Sequence, residues 1–217
     1  MKVEIWSDIM CPFCYIGKRN YEAALKQFAD SNDVVIEWRS FQLDPSIPFQ
    51  MDQEENVFQY LAERKGMSYA QSVQMHASVT ETAKRAGLDY RFDKAIVANS
   101  FQAHRMIQMA KEKGLGDEAE ERFFRAYFTE GKNIGNKDTL VQLGTDIGLT
   151  EAEVQEALTN ETYARKVEED IADAHHMGVN GVPFFVFNRR YAVSGAQPPQ
   201  AFVQALQRSF EEWRKDQ

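Results

Sequence analysis

The two cysteines of the chain, Cys11 and Cys14, are separated only by Pro12 and Phe13 and stand where a strand-like run gives way to a helix. Residues 2–8, built around Val3, Ile5 and Trp6, read as a short buried strand. After Cys11 the residues Tyr15, Tyr21, Ala24, Leu25 and Phe28 form an apolar stripe of roughly helical period. Residues 34–41 are rich in β-branched and aromatic side chains and read as a second strand. A helical crossover between two strands favours parallel pairing, so the opening reads as a βαβ unit.

Asp44-Pro45-Ser46-Ile47-Pro48 then breaks regular structure, because each proline removes an amide donor and restricts the residue before it. From about Glu54 to Met177 helix signals dominate. Gly66, Gly87, Gly114, Gly131, Gly148 and Gly178 stand where helices stop, and Thr150-Glu151-Ala152-Glu153 fits a capping box. Val167, Ile171 and Ala174 mark one buried face of the last helix of this block. Beyond Val182-Pro183, residues 184–187 read as a strand, Asn188-Arg189 as a turn and residues 191–194 as the hairpin partner. Phe202, Leu206, Phe210 and Trp213 give a closing amphipathic helix. The order predicts an α/β fold with a large all-helical insertion between βαβ and ββα halves. Residues 1–52 and 178–217 would form the core domain and 53–177 the insertion.

Charge and composition narrow the function. With a net charge of −8, the chain is ill suited to nucleic acid or acidic membrane, which attract clustered Lys and Arg. No apolar run approaches the roughly 20 residues of a membrane span. Met1-Lys2 leads straight into the first strand without a signal-like apolar stretch, so a cytoplasmic location is expected. In that compartment a cysteine pair is catalytic or transient rather than structural. A bridge across two residues would also close too short a loop to restrain the unfolded chain much.

At a helix start the first amides have no intrahelical partner and the helix dipole is positive, which favours a thiolate on Cys11. Cys14, one helical turn on, is placed to attack a mixed disulfide formed at Cys11 and release the substrate. Pro12 suits the first helical position, where a missing amide costs nothing, and Phe13 adds an apolar flank. A closed zinc site needs four ligands, and His76, His104, His175 and His176 show no matching spacing, so no metal is expected.

Four segments carry a family resemblance: Ser7-Asp8-Ile9-Met10-Cys11-Pro12-Phe13-Cys14, Asn99-Ser100-Phe101-Gln102-Ala103-His104-Arg105, Gly181-Val182-Pro183-Phe184-Phe185 and Val193-Ser194-Gly195-Ala196-Gln197. Over nearly its whole length the chain resembles the DsbA family of thioredoxin-like oxidoreductases. It is most similar to the FrnE-like branch, related to 2-hydroxychromene-2-carboxylate isomerases and kappa-class glutathione transferases. The resemblance implies a thioredoxin-like fold with Cys11 and Cys14 as catalytic thiols. It also implies a cis Val182–Pro183 bond opposite them, with the Val182 backbone available to a peptide or glutathione. Asp8, Asn99, His104, Arg105, Ser194 and Gln197 become candidates to line the site. For Asp8 a loop cap, and for Ser194 to Gln197 a turn, are the competing readings.

The expected activity is thiol-disulfide exchange, as oxidase, reductase or disulfide isomerase, on protein, peptide or glutathione substrates. No cofactor is required, glutathione enters as a co-substrate, and either a monomer or a homodimer satisfies the pattern. The alternative is a glutathione-dependent isomerase or transferase acting on a small electrophile. In the resembling isomerases and transferases a serine typically holds the nucleophilic position and the second cysteine is not required. Retention of both cysteines here favours dithiol chemistry.

Overall fold

A computed structural model describes residues 1–51 and 53–216. Asp52 and Gln217, which end the two expected core segments, lie outside the described residues. The chain forms two compact units, Met1–Leu43 with Glu168–Gln217, and Asp44–Val167.

In the first unit a four-stranded sheet has the order β2-β1-β3-β4, with β1 Lys2–Ser7, β2 Val35–Ser40, β3 Phe184–Phe187 and β4 Tyr191–Ser194. β1 pairs in parallel with β2, as the βαβ reading requires, and antiparallel with β3, which pairs antiparallel with β4. β1 ends at Ser7 rather than residue 8. Asp8 turns out of the strand because its carboxylate accepts hydrogen bonds from the amides of Leu43 (2.7 Å) and Met10 (3.3 Å).

Period-2 alternation divides the sheet. Val3, Ile5, Trp38, Phe185 and Phe187 meet Tyr21 and Ala24 of α1 (Pro12–Leu25) and Phe202, Leu206 and Phe210 of α9 (Pro199–Lys215) in the main core. The opposite face carries Trp6 and Val186 against Phe41, Ala174 and Val179. The strip of this face beside the core carries charge. Glu4, fully enclosed, accepts hydrogen bonds from Arg39 (2.6 Å) and Arg189 (2.6 Å). The same two guanidiniums reach Asp170 (2.7 Å) and Asp173 (2.7 Å) on α8 (Glu161–His176). Trp6 lies under both guanidiniums and donates its indole N–H to the Asp170 carbonyl at 2.8 Å. The network ties β1, β2, the β3–β4 turn and the end of α8 together, and every buried charge in it is matched.

In the second unit α2 (Val57–Lys65), α3 (Tyr69–Arg85), α4 (Phe101–Glu112), α5 (Gly116–Phe128), α6 (Lys137–Asp146) and α7 (Glu151–Thr159) precede α8. The division between units falls inside α8. All six glycines expected at helix stops have positive φ, where an L side chain would be strained. Thr150 and Glu153 form the expected capping box, and Ser68 with Gln71 forms a second. Tyr90, Phe92, Phe124, Tyr127 and Phe128 build an aromatic cluster, with Tyr90 stacked on Phe128 at 4.6 Å between centroids. Met106 and Met109 fill core space, whereas Met75 is 43% exposed on α3. Among the described residues no helix is long and apolar enough to cross a membrane.

Glu4→Ala removes the buried carboxylate that Arg39 and Arg189 share, leaving Asp170 and Asp173 as their remaining partners on α8, and loss of one partner from a buried ion pair costs about 3–5 kcal/mol. Chemical denaturation of the variant should show a loss of that order. Burial pushes the Glu4 carboxyl pKa up, but the hydrogen bonds from Arg189 and Arg39 outweigh it and hold the pKa below its ordinary value. Asp173 is lowered by its hydrogen bond from Arg189. A depressed carboxylate pKa stabilises the fold above the unfolded value, about pH 4, and that stabilisation is lost as pH falls through the folded value. Stability should therefore drop more steeply below about pH 4 in the native chain than in Glu4→Gln, read from denaturation midpoints across acid pH.

Candidate active site

The site grows from the end of β1. The Cys11 amide donates to the Asp8 carbonyl at 2.9 Å, closing a tight turn that sets Cys11 at the N-cap of α1. Pro12 follows at the first helical position, where its missing amide is no loss. No acidic residue occupies the first turn of α1, so nothing there opposes the positive helix end. Cys11 and Cys14 are free thiols, 3% and 1% exposed, while Phe13 between them is 45% exposed.

Opposite the pair, Val182–Pro183 is a cis peptide, as the resemblance implies. The Cys11 thiol donates to the Val182 carbonyl at 3.3 Å. Among the described residues the Val182 amide has no hydrogen-bond partner. Val182, Pro183, Ser194 and Gly195 line a cleft of about 380 Å³ with Gly178, Asn180, Gly181 and Phe184. A thiol, an open backbone amide and a cleft thus adjoin one another in the first unit.

The two thiols differ chemically. The Cys14 pKa is raised well above the ordinary thiol value, first by burial and then by the hydrogen bond and charge of Cys11. The Asp8 main chain pulls the other way. Cys14 is thus a protonated thiol at rest. The opposition from Cys11 vanishes once that sulfur is bound in a mixed disulfide, which carries no charge.

The other expected site residues make local contacts. Asp8 caps the loop through Met10 and Leu43. Ser194 and Gln197 form a turn, with Gln197 Nε2 donating to the Ser194 carbonyl at 3.0 Å, and Asn20 of α1 donates to the Gln197 carbonyl at 3.0 Å. Asn99, His104 and Arg105 belong to the helical unit. Asn99 donates to the Ile47 carbonyl at 2.6 Å and accepts from the Phe101 amide at 2.9 Å. Arg105 donates to the carbonyls of Ala157 (2.9 Å) and Asn160 (3.1 Å) at the end of α7. His104 is fully buried. No cluster of His, Cys, Asp or Glu among the described residues could hold a metal ion.

A model of the DSBA-like thioredoxin domain matches residues 2–207. The chain belongs to the DsbA-like thioredoxin domain family. It is similar to a probable DsbA oxidoreductase from Streptomyces coelicolor, with 37% identity, a TM-score of 0.91 and coverage of 98% of this chain and 91% of that one. Two structures of lower identity share the fold. One is the cytosolic disulfide reductase DsbM from Pseudomonas aeruginosa, 18% identical with a TM-score of 0.69 over 97% of this chain and 99% of that one. It has also been solved with GSH. The other is a 2-hydroxychromene-2-carboxylate isomerase, 12% identical with a TM-score of 0.71 over the whole of both chains.

Gly17 is a residue that the sequence reading passed over. In this DsbA-like chain a Cβ at position 17 would lie 2.9 Å from Pro183 Cγ and 3.3 Å from Phe185 Cζ. Its signal in the sequence is an isolated glycine inside a helical pattern, which often marks close packing. Gly17→Ala should push the Val182–Pro183 loop away from Cys11. Because small misplacements at a reacting centre cost up to about a hundredfold in rate, turnover of glutathione disulfide should fall by about ten- to a hundredfold. Circular dichroism should remain native; unchanged turnover would show that the loop tolerates the shift.

Proposed function

We propose that the chain is a cytoplasmic thiol-disulfide oxidoreductase that exchanges electrons through Cys11 and Cys14, with glutathione or peptide disulfides as substrates. The observation that carries this reading is the 3.3 Å approach of the Cys11 thiol to the Val182 carbonyl at the edge of a cleft. An extended thiol peptide laid along the Val182 backbone would bring its sulfur beside Cys11. Family membership supports oxidoreductase or isomerase chemistry in general, and the DsbM complex with GSH makes glutathione the first substrate to test.

In the reducing direction the Cys11 thiolate attacks a substrate disulfide. One substrate thiol leaves and the other stays joined to Cys11. Cys14 then gives up its proton and attacks Cys11 Sγ, releasing the second thiol and leaving Cys11 and Cys14 joined. The substrate disulfide gains two electrons and the protein dithiol loses two. Run backwards, the same steps oxidise a dithiol substrate. No organic cofactor or metal takes part.

Cys11→Ser should abolish reduction of glutathione disulfide. Cys14→Ser should complete the first attack only and accumulate a glutathione adduct on Cys11, visible by intact mass. Equal turnover in the two variants would contradict the assignment of roles.

A further inference from the structure

We propose that the helical unit carries a binding site of its own, a cavity that holds the carboxyl end of a short peptide whose last residue is apolar. The cavity, of about 680 Å³, is lined by residues between Pro48 and Thr159 and so lies wholly within the second unit. Cavities of roughly 300–1,000 Å³ with apolar walls and a few placed polar groups are the usual form of small-ligand sites. This one shares no lining residue with the cleft beside Val182, and the dithiol mechanism makes no use of it.

The backbone sets what one wall can offer. Asn133 Oδ1 accepts the Gly135 amide at 2.9 Å, and Asn136 Oδ1, at the N-cap of α6, accepts the Thr139 amide at 3.0 Å. A main-chain N–H can only donate, so each carboxamide turns its oxygen to the backbone and keeps its NH2 group for another partner. Among the described residues neither NH2 group has one, and Lys137, next along the lining, makes no ion pair. Three donor groups with no side-chain acceptor left over suit a carboxylate, which only accepts. Glu54 also lines the cavity, but it is exposed to solvent, where its repulsion is screened.

The rest of the lining asks for more than a bare anion. The Gln102 carboxamide makes no hydrogen bond among the described residues, and its Oε1 is shut off from solvent. Native proteins rarely leave a buried polar atom so. Gln155 on α7 is likewise uncommitted through its side chain. A carboxamide offers a donor and an acceptor, the same pair that a peptide group presents. Val97, Leu140 and Leu158 add apolar surface, and Phe49, 57% exposed, gives a large ring that gains by being covered. The terminal carboxylate therefore goes to Asn133, Asn136 and Lys137, the peptide groups to Gln102 and Gln155, and the last side chain to the apolar wall.

The test is calorimetric titration of the reduced full-length chain with N-acetyl-Ala-Ala-Leu and with the same peptide ending in an amide. Neither holds sulfur, so binding is read apart from thiol exchange, and the Cys11→Ser chain should bind as wild type does even if the dithiol mechanism fails. The acid should bind about tenfold or more tightly than the amide, the worth of one hydrogen bond to a charged group. Lys137→Met should weaken the acid by about tenfold and leave the amide unmoved. Asn133→Asp keeps an oxygen for the Gly135 amide but replaces the NH2 group with a second oxygen, so it should reverse the preference in favour of the amide. Free leucine, which lacks the peptide groups, should bind more weakly than the acid. Equal affinity for acid and amide, affinities that both variants leave unmoved, leucine bound as tightly as the peptide, or no binding of the acid at millimolar concentration would each overturn the assignment.

Discussion

The site depends on how closely α1 lies against the loop that enters β3. Cys11 reaches the Val182 carbonyl at 3.3 Å only because a residue without a side chain, Gly17, faces the Pro183 ring on the next turns of the same helix. A helix-interior glycine costs about 1 kcal/mol relative to alanine. That expense is set against close packing, which brings together two segments distant in sequence. Both thiols are thereby buried, the loop amide of Val182 is left open, and Cys14 takes the more enclosed position that holds its proton in place.

Behind this contact the sheet is a platform with two different faces. Odd-numbered positions of β1 feed an apolar core under α1 and α9, while Glu4 on the other face organises Arg39, Arg189, Asp170 and Asp173. The β3–β4 turn places Asn188 and Arg189 at positive φ, an uncommon conformation for side-chain-bearing residues. Arg189 sits there with its guanidinium bonded to Glu4 and Asp173 and stacked 5.5 Å from the Trp6 ring centroid. The strand that ends in Ser7 and leads to the cysteines is thus anchored from both sides.

Much of this was legible in the sequence because it is encoded locally. The βαβ opening, the glycine helix stops, the Thr150 capping box and the closing amphipathic helix each follow from residues within one or two turns of each other. The cysteine pair at a helix start and the cis Val182–Pro183 bond were also in view, the second through family resemblance. What escaped is long-range. Nothing in the spacing of Glu4, Arg39, Asp170, Asp173 and Arg189 says that they meet, and a glycine within a helix does not name the proline it faces. The position of Asp8 beside the cysteine motif fits both a site residue and a loop cap, and its bonds to Met10 and Leu43 are those of a cap. Arg105 bonds carbonyls at the end of α7, a partner that its own helix could not reveal.

The central claim, that Cys11 and Cys14 form one working dithiol couple, is tested most directly by its reduction potential. The purified chain would be equilibrated across glutathione redox buffers and its free thiols counted by mass. The account predicts a single reversible two-electron transition in which both thiols disappear together, at a position that sets the direction of electron flow. A stable adduct of one glutathione on Cys11, with Cys14 remaining a free thiol throughout, would contradict it.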